Sequence, residues 1–213
     1  MFYWLYERLI LSRIQVLPRH ICFMISGADL AAEPGKCREV TGWCSDFNAI
    51  IARRPRSPGT AAPPAIQGIT FHINELSSVE LNRILPELRN IASMARLELH
   101  HGTTEEVLGT GLGVVVAIGK SGREEITDCI RRLAQEGVQP TEIDEKMLES
   151  CLTFRYDPDI VVKTGGDHLT DFLIWQSVYS ELFFSDVNWK YFRRVDFLRV
   201  LRDYQARIRR FGK

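Results

Sequence analysis

The 213-residue chain, 45% hydrophobic and 25% charged, has the profile of one globular domain large enough to stand without disulfides or metal. No apolar run approaches the roughly 18 residues of a membrane-spanning helix, and no signal-peptide pattern is present; five cysteines (Cys22, Cys37, Cys44, Cys129, Cys151) without a C-x-x-C pair argue against a disulfide framework or zinc motif and fit a reducing, cytoplasmic setting. Net charge is zero, yet residues 190–213 hold nine basic and two acidic residues, so a +7 tail balances a −7 body.

Residues 2–14 predict a helix, with Phe2, Tyr3, Trp4 and Leu5 crowded at its start and Glu7, Arg8 and Arg13 following. Such an end either lies in a bilayer interface or packs on the body or a partner. Pro18 ends it, and 21–25 form an apolar run of buried-strand type before Ser26-Gly27. A helix is expected over 38–52, then a surface loop over 53–64, which holds four prolines and three arginines. Further strands are expected at 69–73, 97–99, 112–118 and 160–163. Further helices are expected at 79–92, 122–136 (closed by Gly137), 171–182 and 191–209. Strands alternating with helices predict an α/β fold, a single domain with a central, mostly parallel sheet flanked by helices. It divides into an N-terminal amphipathic helix (1–17), a body (18–189) and a basic helix and tail (190–213).

Gly119-Lys120-Ser121-Gly122 follows a strand and opens a helix, but a phosphate-wrapping P-loop needs four residues between its first Gly and Gly-Lys-Ser, and Gly113 leaves the five strand residues 114–118. A lone anion at that helix start is still allowed. His20, His72, His100, His101 and His168 share no ligand spacing, so each is expected to be a structural or surface residue and no metal is assigned to this chain. Arg193, Arg194, Arg199, Arg202 and Arg207 alternate with Phe192, Val195, Leu198, Leu201 and Ile208, the pattern of an amphipathic helix. No stacking platform accompanies the charge, so nucleic acid is not an expected partner.

The most informative string is P-D-I-V-V-K-T-G-G-D-H-L-T-D-F-L-I-W-Q-S-V-Y-S-E-L-F-F-S-D-V-N-W over 158–189. A strand runs into Thr164-Gly165-Gly166, where missing side chains let backbone approach a ligand. The string resembles the hallmark of the cis-prenyltransferases, the undecaprenyl diphosphate synthase family: I-R-T-G-G-E-x-R-L-S-N-F-L-L-W-Q-x-x-Y-x-E-L-x-F-x-D-x-x-W. Ser121-Gly122-Arg123-Glu124-Glu125-Ile126, the stretch 140–148 and Pro18-Arg19-His20-Ile21 are similar to further family motifs. The resemblance implies that family's fold and its reaction: Mg²⁺-dependent addition of isopentenyl diphosphate to an allylic diphosphate, giving a long polyprenyl diphosphate in an apolar tunnel.

Departures from the pattern set the expected role. Ser26 stands where the family carries its essential Asp, Ala28 replaces an Asn, Leu30 a phosphate-gripping Arg and Trp43 a His. Asp29 lies close in sequence, but its register is expected to aim it elsewhere. Lys163 replaces a two-pronged Arg of the isopentenyl diphosphate pocket, and a second Arg falls at a deletion beside Leu169. What survives of this chain's own site is Gly27, Lys163, Gly165, Gly166, Thr170 and Glu181. Only 37 residues separate Asn74 from Leu112, too few for the long helices that wall the family's tunnel.

The terminal Arg210-Phe211-Gly212-Lys213 resembles the R-x-G of heteromeric members, most of all non-catalytic subunits of the Nogo-B receptor type. In those, the tail completes the partner's diphosphate site, a task for an Arg fork and a Gly N–H. The resemblance therefore implies a non-catalytic subunit with no catalytic residue of its own. Arg210, Gly212 and Lys213 would bind diphosphate beside a catalytic homologue that keeps the Asp and holds Mg²⁺. Leu173, Trp175, Val178, Tyr179, Leu182 and Phe183 would form the dimer face. Peripheral membrane contact is left open. Two alternatives also stand: an active homodimer with Glu181 and Asp29 holding Mg²⁺, and a receptor or adaptor that keeps only the fold.

Overall fold

The computed structural model describes residues 2–55, 65–74, 76–119, 121–152, 156–166, 173 and 175–207. Thr170, Arg210, Gly212 and Lys213 lie outside them. In chain order the elements are α1 (Phe2–Arg13), β1 (His20–Ile25), α2 (Gly27–Ala32), α3 (Lys36–Ala52), β2 (Gly68–Ile73), α4 (Ser78–Arg89), β3 (Arg96–His101), β4 (Thr104–Leu108), β5 (Gly113–Ile118), α5 (Gly122–Gln135), α6 (Glu145–Cys151), β6 (Ile160–Thr164), β7 (Glu181–Ser185) and α7 (Arg194–Ala206). The strands form one sheet in the order β4-β3-β5-β2-β1-β6-β7. Every neighbouring pair is parallel except the β3–β4 hairpin. The four strands expected from continuous apolar runs, β1, β2, β5 and β6, make the centre, where both faces are covered and each position wants an apolar side chain.

One expected element is corrected, and others appear that were not expected. The helix expected over 171–182 is, in its described part, a turn at 175–179 followed by strand β7. A run of three apolar residues, Leu182 to Phe184, does not by itself distinguish helix from strand; pairing with β6 decides it. Strand β4 and helices α2 and α6 were not expected: two of the five residues of β4 are charged, α2 has only six residues, and α6 is a short helix capped by Asp144, whose side chain accepts from the Met147 N–H at 2.8 Å.

One sheet face presents Ile21, Phe23, Ile25, Ile69, Phe71, Ile73, Val114 and Val116 to α1, α3, α4 and α7. At its centre the Phe23 ring lies 5.6 Å from Phe71, 5.7 Å from Trp189, 6.0 Å from Phe192 and 5.5 Å from Phe197. All five rings are fully buried. Ile10 of α1 and Ile14 just after it belong to the same core as Leu198 and Tyr204 of α7, whereas Leu5 and Leu9 point outward. The opposite face holds a smaller cluster, Cys22, Met24, Val115, Ala117, Val161 and Leu173.

His20 opens β1 on that second face. It is buried, its Nε2 lies 2.8 Å from Thr70 Oγ1, and Tyr156 stacks on its ring. Gly68 in the next strand leaves the room: a Cβ there would meet His20 Nδ1 at 2.3 Å. Burial drives the His20 pKa down to about 4, against the opposing pull of Asp159. The unfolded chain therefore binds more protons than the folded one between the ordinary histidine value and pH 4, so this contribution to stability is present above that window and lost as pH falls through it. Each tenfold loss of proton affinity is worth about 1.4 kcal/mol, so the whole effect is about 3 kcal/mol. Urea unfolding at pH 7.5 and at pH 4.5 measures it. The drop should shrink by about that amount in His20→Gln, and an equal drop in both proteins would refute the assignment.

Candidate functional site

Parallel strands bring their carboxyl ends to one edge of the sheet, and there the chain assembles Ser26 after β1, Asn74 after β2, Gly119 after β5 and Gly165-Gly166 after β6. The Asn74 N–H donates to the Ile25 carbonyl at 3.3 Å, and the Gly119 N–H to the Ile73 carbonyl at 3.0 Å. In open α/β sheets ligands bind in the crevice at this edge.

Ser26 caps α2: its Oγ accepts from the Asp29 N–H at 3.1 Å and donates to Asp29 Oδ2 at 2.7 Å. The expected aim of Asp29 is thus corrected. A helix turn carries the third residue after the cap back over it, so the carboxylate returns to Ser26 instead of leaving the site. The sequence signal was present as S-x-x-D, a capping pattern. Leu30 is fully buried in the core, so the position of the family's cationic grip faces inward. Gly27 is buried at the start of α2, and Ala28 is exposed. Trp43 packs on the core beside Phe192 and Phe197. One carboxylate already engaged by a hydroxyl is a poor donor set for Mg²⁺ on a diphosphate.

On β6, Lys163 sits beside Met24 in the register and donates from Nζ to the Thr164 carbonyl at 2.9 Å. Thr164 is buried, and its Oγ1 has no hydrogen-bond partner among the described residues. Gly165 is required by the fold: its φ is +68°, a Cβ would stand 2.7 Å from Asn188 Oδ1, and its N–H donates to the Ser185 and Val187 carbonyls. That N–H is therefore spent inside the protein, contrary to the expectation of open backbone. Gly166 keeps open space around it.

Glu181 does not join this group. β7 runs parallel to β6 and Glu181 is its first residue, paired with Ile160, so it lies at the opposite edge of the sheet from Lys163 and Gly165. There Arg207 Nη1 reaches Glu181 Oε2 at 3.2 Å and the Leu182 carbonyl at 2.7 Å. The end of α7 is pinned to the edge strand. At the start of α5, Glu124 and Glu125 fill the first turn, so the helix dipole is already met by anions and the lone-anion site is not supported.

The dimer-face residues divide. Val178 and Tyr179 are 65% and 74% exposed beside edge strand β7, and Phe184 is 42% exposed on it. Trp175 is half-buried. Leu173 is buried in the smaller cluster, Leu182 packs against that cluster, and Phe183 packs on the main core. Alternation along β7 sends Leu182 and Phe183 to opposite faces of the sheet, while Val178 and Tyr179 are exposed on the turn that precedes the strand.

A sequence profile described as "Putative undecaprenyl diphosphate synthase" matches residues 78–212. An isoprenyl transferase of Thermus thermophilus is 32% identical over 261 aligned positions, covering 99% of this chain and 95% of the relative. That alignment is longer than this chain, so segments of the relative have no counterpart in it. A tritrans,polycis-undecaprenyl-diphosphate synthase (geranylgeranyl-diphosphate specific) of Methanocaldococcus jannaschii is 28% identical, covering 98% of this chain and 88% of the relative. Lavandulyl diphosphate synthase from Lavandula x intermedia, solved with dimethylallyl diphosphate, superposes with a TM-score of 0.64 at 18% identity, over 92% of this chain and 99% of that one. A probable undecaprenyl diphosphate synthase from Campylobacter jejuni gives 0.61 at 18% identity with the same coverage.

Proposed function

The chain belongs to the undecaprenyl diphosphate synthase family of prenyltransferases, and from that premise we propose that it is a non-catalytic subunit of a heteromeric cis-prenyltransferase. Its partner is a homologue that keeps the carboxylate after its first strand, holds Mg²⁺ and joins isopentenyl diphosphate to an allylic diphosphate. This chain lends Arg210 and the Gly212 N–H to that partner's diphosphates, with Lys213 adding charge.

The observation that carries the reading is the filled sheet face. A growing prenyl chain needs an apolar channel, and the sheet face beside α3 and α7 is occupied by the fully buried rings of Phe23, Phe71, Trp189, Phe192 and Phe197. α4 has 12 residues, about 18 Å of wall. Ser26 in place of the acid and inward-facing Leu30 support the same conclusion. So does Arg207, which holds the end of α7 against edge strand β7, beside exposed Val178, Tyr179 and Phe184.

The test is incorporation of labelled isopentenyl diphosphate by the purified chain, alone and mixed with an Asp-bearing homologue. The chain alone should make no product, and the mixture should exceed the homologue alone. Mg²⁺-dependent product from the chain alone would overturn the reading. A second reading, an active homodimer, is favoured by the Asp29 carboxylate 2.7 Å from Ser26 Oγ. It requires product from the chain alone that is lost in Asp29→Asn. An adaptor that keeps only the fold would stimulate no homologue.

A further inference from the structure

The β3–β4 hairpin carries a cluster that the carboxyl edge of the sheet does not use. Glu98 and His100 are two residues apart on β3 and so share a face, and the register sets His100 opposite Glu105 on β4. This face looks into a cavity of about 510 Å³, lined from the helix side by Arg132, Ser150 and Cys151. Donor atoms of Glu98, His100 and Glu105 all lie within 4.8 Å of one another. The imidazole is 3% exposed, and its Nε2 is 3.0 Å from Glu98 Oε1. Glu98 Oε2 meets Arg96 at 3.3 Å, and Glu105 stands exposed at the cavity rim.

The other face of the same hairpin holds the same residue types to a different end. Glu106 accepts from Arg89 Nε at 2.9 Å and Arg89 Nη2 at 2.7 Å, and lies 3.3 Å from His101 Nε2. These bonds from Arg89, aided by His101, hold its pKa down to about 2. A carboxylate so consumed by a guanidinium is unavailable to a cation, which makes the His101 face an internal control.

We propose that Glu98, His100 and Glu105 bind a divalent transition-metal ion, with Zn²⁺ the best fit, leaving a coordination position open to the cavity. One imidazole and two carboxylates suit zinc better than Mg²⁺, which takes oxygen donors in an octahedron. A tetrahedral ion about 2.1 Å from each donor sets the donors about 3.4 Å apart, a closure that exposed Glu105 supplies by turning about its own side-chain bonds. The metal takes the Nε2 position that now faces Glu98, leaving the ring proton on Nδ1. A buried imidazole held by two strands loses little freedom on binding. β3 is separated from β1 by β5 and β2, so the site stands or falls apart from the diphosphate chemistry.

The test is calorimetric titration of the purified full chain with ZnCl₂, together with the visible spectrum of the Co²⁺ form. One saturable equivalent is expected. Glu105→Gln should weaken it roughly tenfold or more, His100→Gln should abolish it, and His101→Gln should leave it unchanged. Far-UV circular dichroism checks each fold; should buried His100 not tolerate replacement, exposed Glu105→Gln carries the test. The proposal is overturned if the chain takes up no zinc at millimolar metal, or if Glu105→Gln binds as the parent does. It also fails if a Cys129→Ser/Cys151→Ser pair abolishes uptake while Glu105→Gln keeps it.

Discussion

Deleting Phe211, Gly212 and Lys213 is expected to lower the turnover of the proposed two-chain complex by about 100-fold while the chains stay associated. The expected size follows from the chemistry: losing one preorganised donor to a departing anion costs about 3 kcal/mol of transition-state stabilisation. Association should survive because the proposed partner surface is built from other residues, exposed Val178, Tyr179 and Phe184 around β7. Arg210→Ala in the full-length chain should cost at least as much, since the deletion leaves Arg210 in place and an Arg fork is the stronger diphosphate ligand. The measurement is kcat for labelled isopentenyl diphosphate, with sedimentation to confirm the dimer. Unchanged turnover in an intact dimer would remove the tail from the partner's site.

Phe23→Ala should destabilise the chain by about 3–5 kcal/mol, because the residue is fully buried among four other aromatic rings and a truncated ring leaves a cavity that rigid neighbours cannot fill. For a domain of this size the melting temperature falls by roughly 6–20 °C. The result separates two views of that sheet face. A packed core loses stability when Phe23 shrinks. The wall of a product channel already borders empty or lipid-filled space, so it would lose less than about 1 kcal/mol and give a longer product instead. A small stability change accompanied by any prenyl product would therefore count against both the filled face and the non-catalytic role.

The two halves of the candidate site were not equally legible. Lys163 could be read as a replacement because the motif around it is dense in sequence, and Ser26 and Leu30 by counting without a gap from Pro18-Arg19-His20-Ile21. The return of Asp29 to Ser26 was signalled by S-x-x-D, but that pattern acts as a cap only where a helix starts at Gly27, and no helix was expected there. Glu181 groups with Lys163 in the sequence because 18 residues of motif join them, yet a parallel partner strand begins at the far edge from where its neighbour ends. Glu98, His100 and Glu105 are invisible to linear ligand spacing: their proximity comes from cross-strand register in a hairpin whose second strand is too polar to announce itself.

By itself the sequence determined the α/β class, the four central strands and the helices from α3 to α5. These rest on local rules, continuous apolar runs for strands buried on both faces and amphipathic spacing for helices that cover them. Only the tertiary structure decided the sheet order, the strand nature of 181–185, the occupant of the apolar face and the sheet edge to which each polar residue belongs. The physical reason is that parallel neighbours here are joined across long stretches of chain, Ile21 to Ile69 and Ile21 to Ile160 among them. Their register is fixed by packing and hydrogen bonds that no local pattern contains.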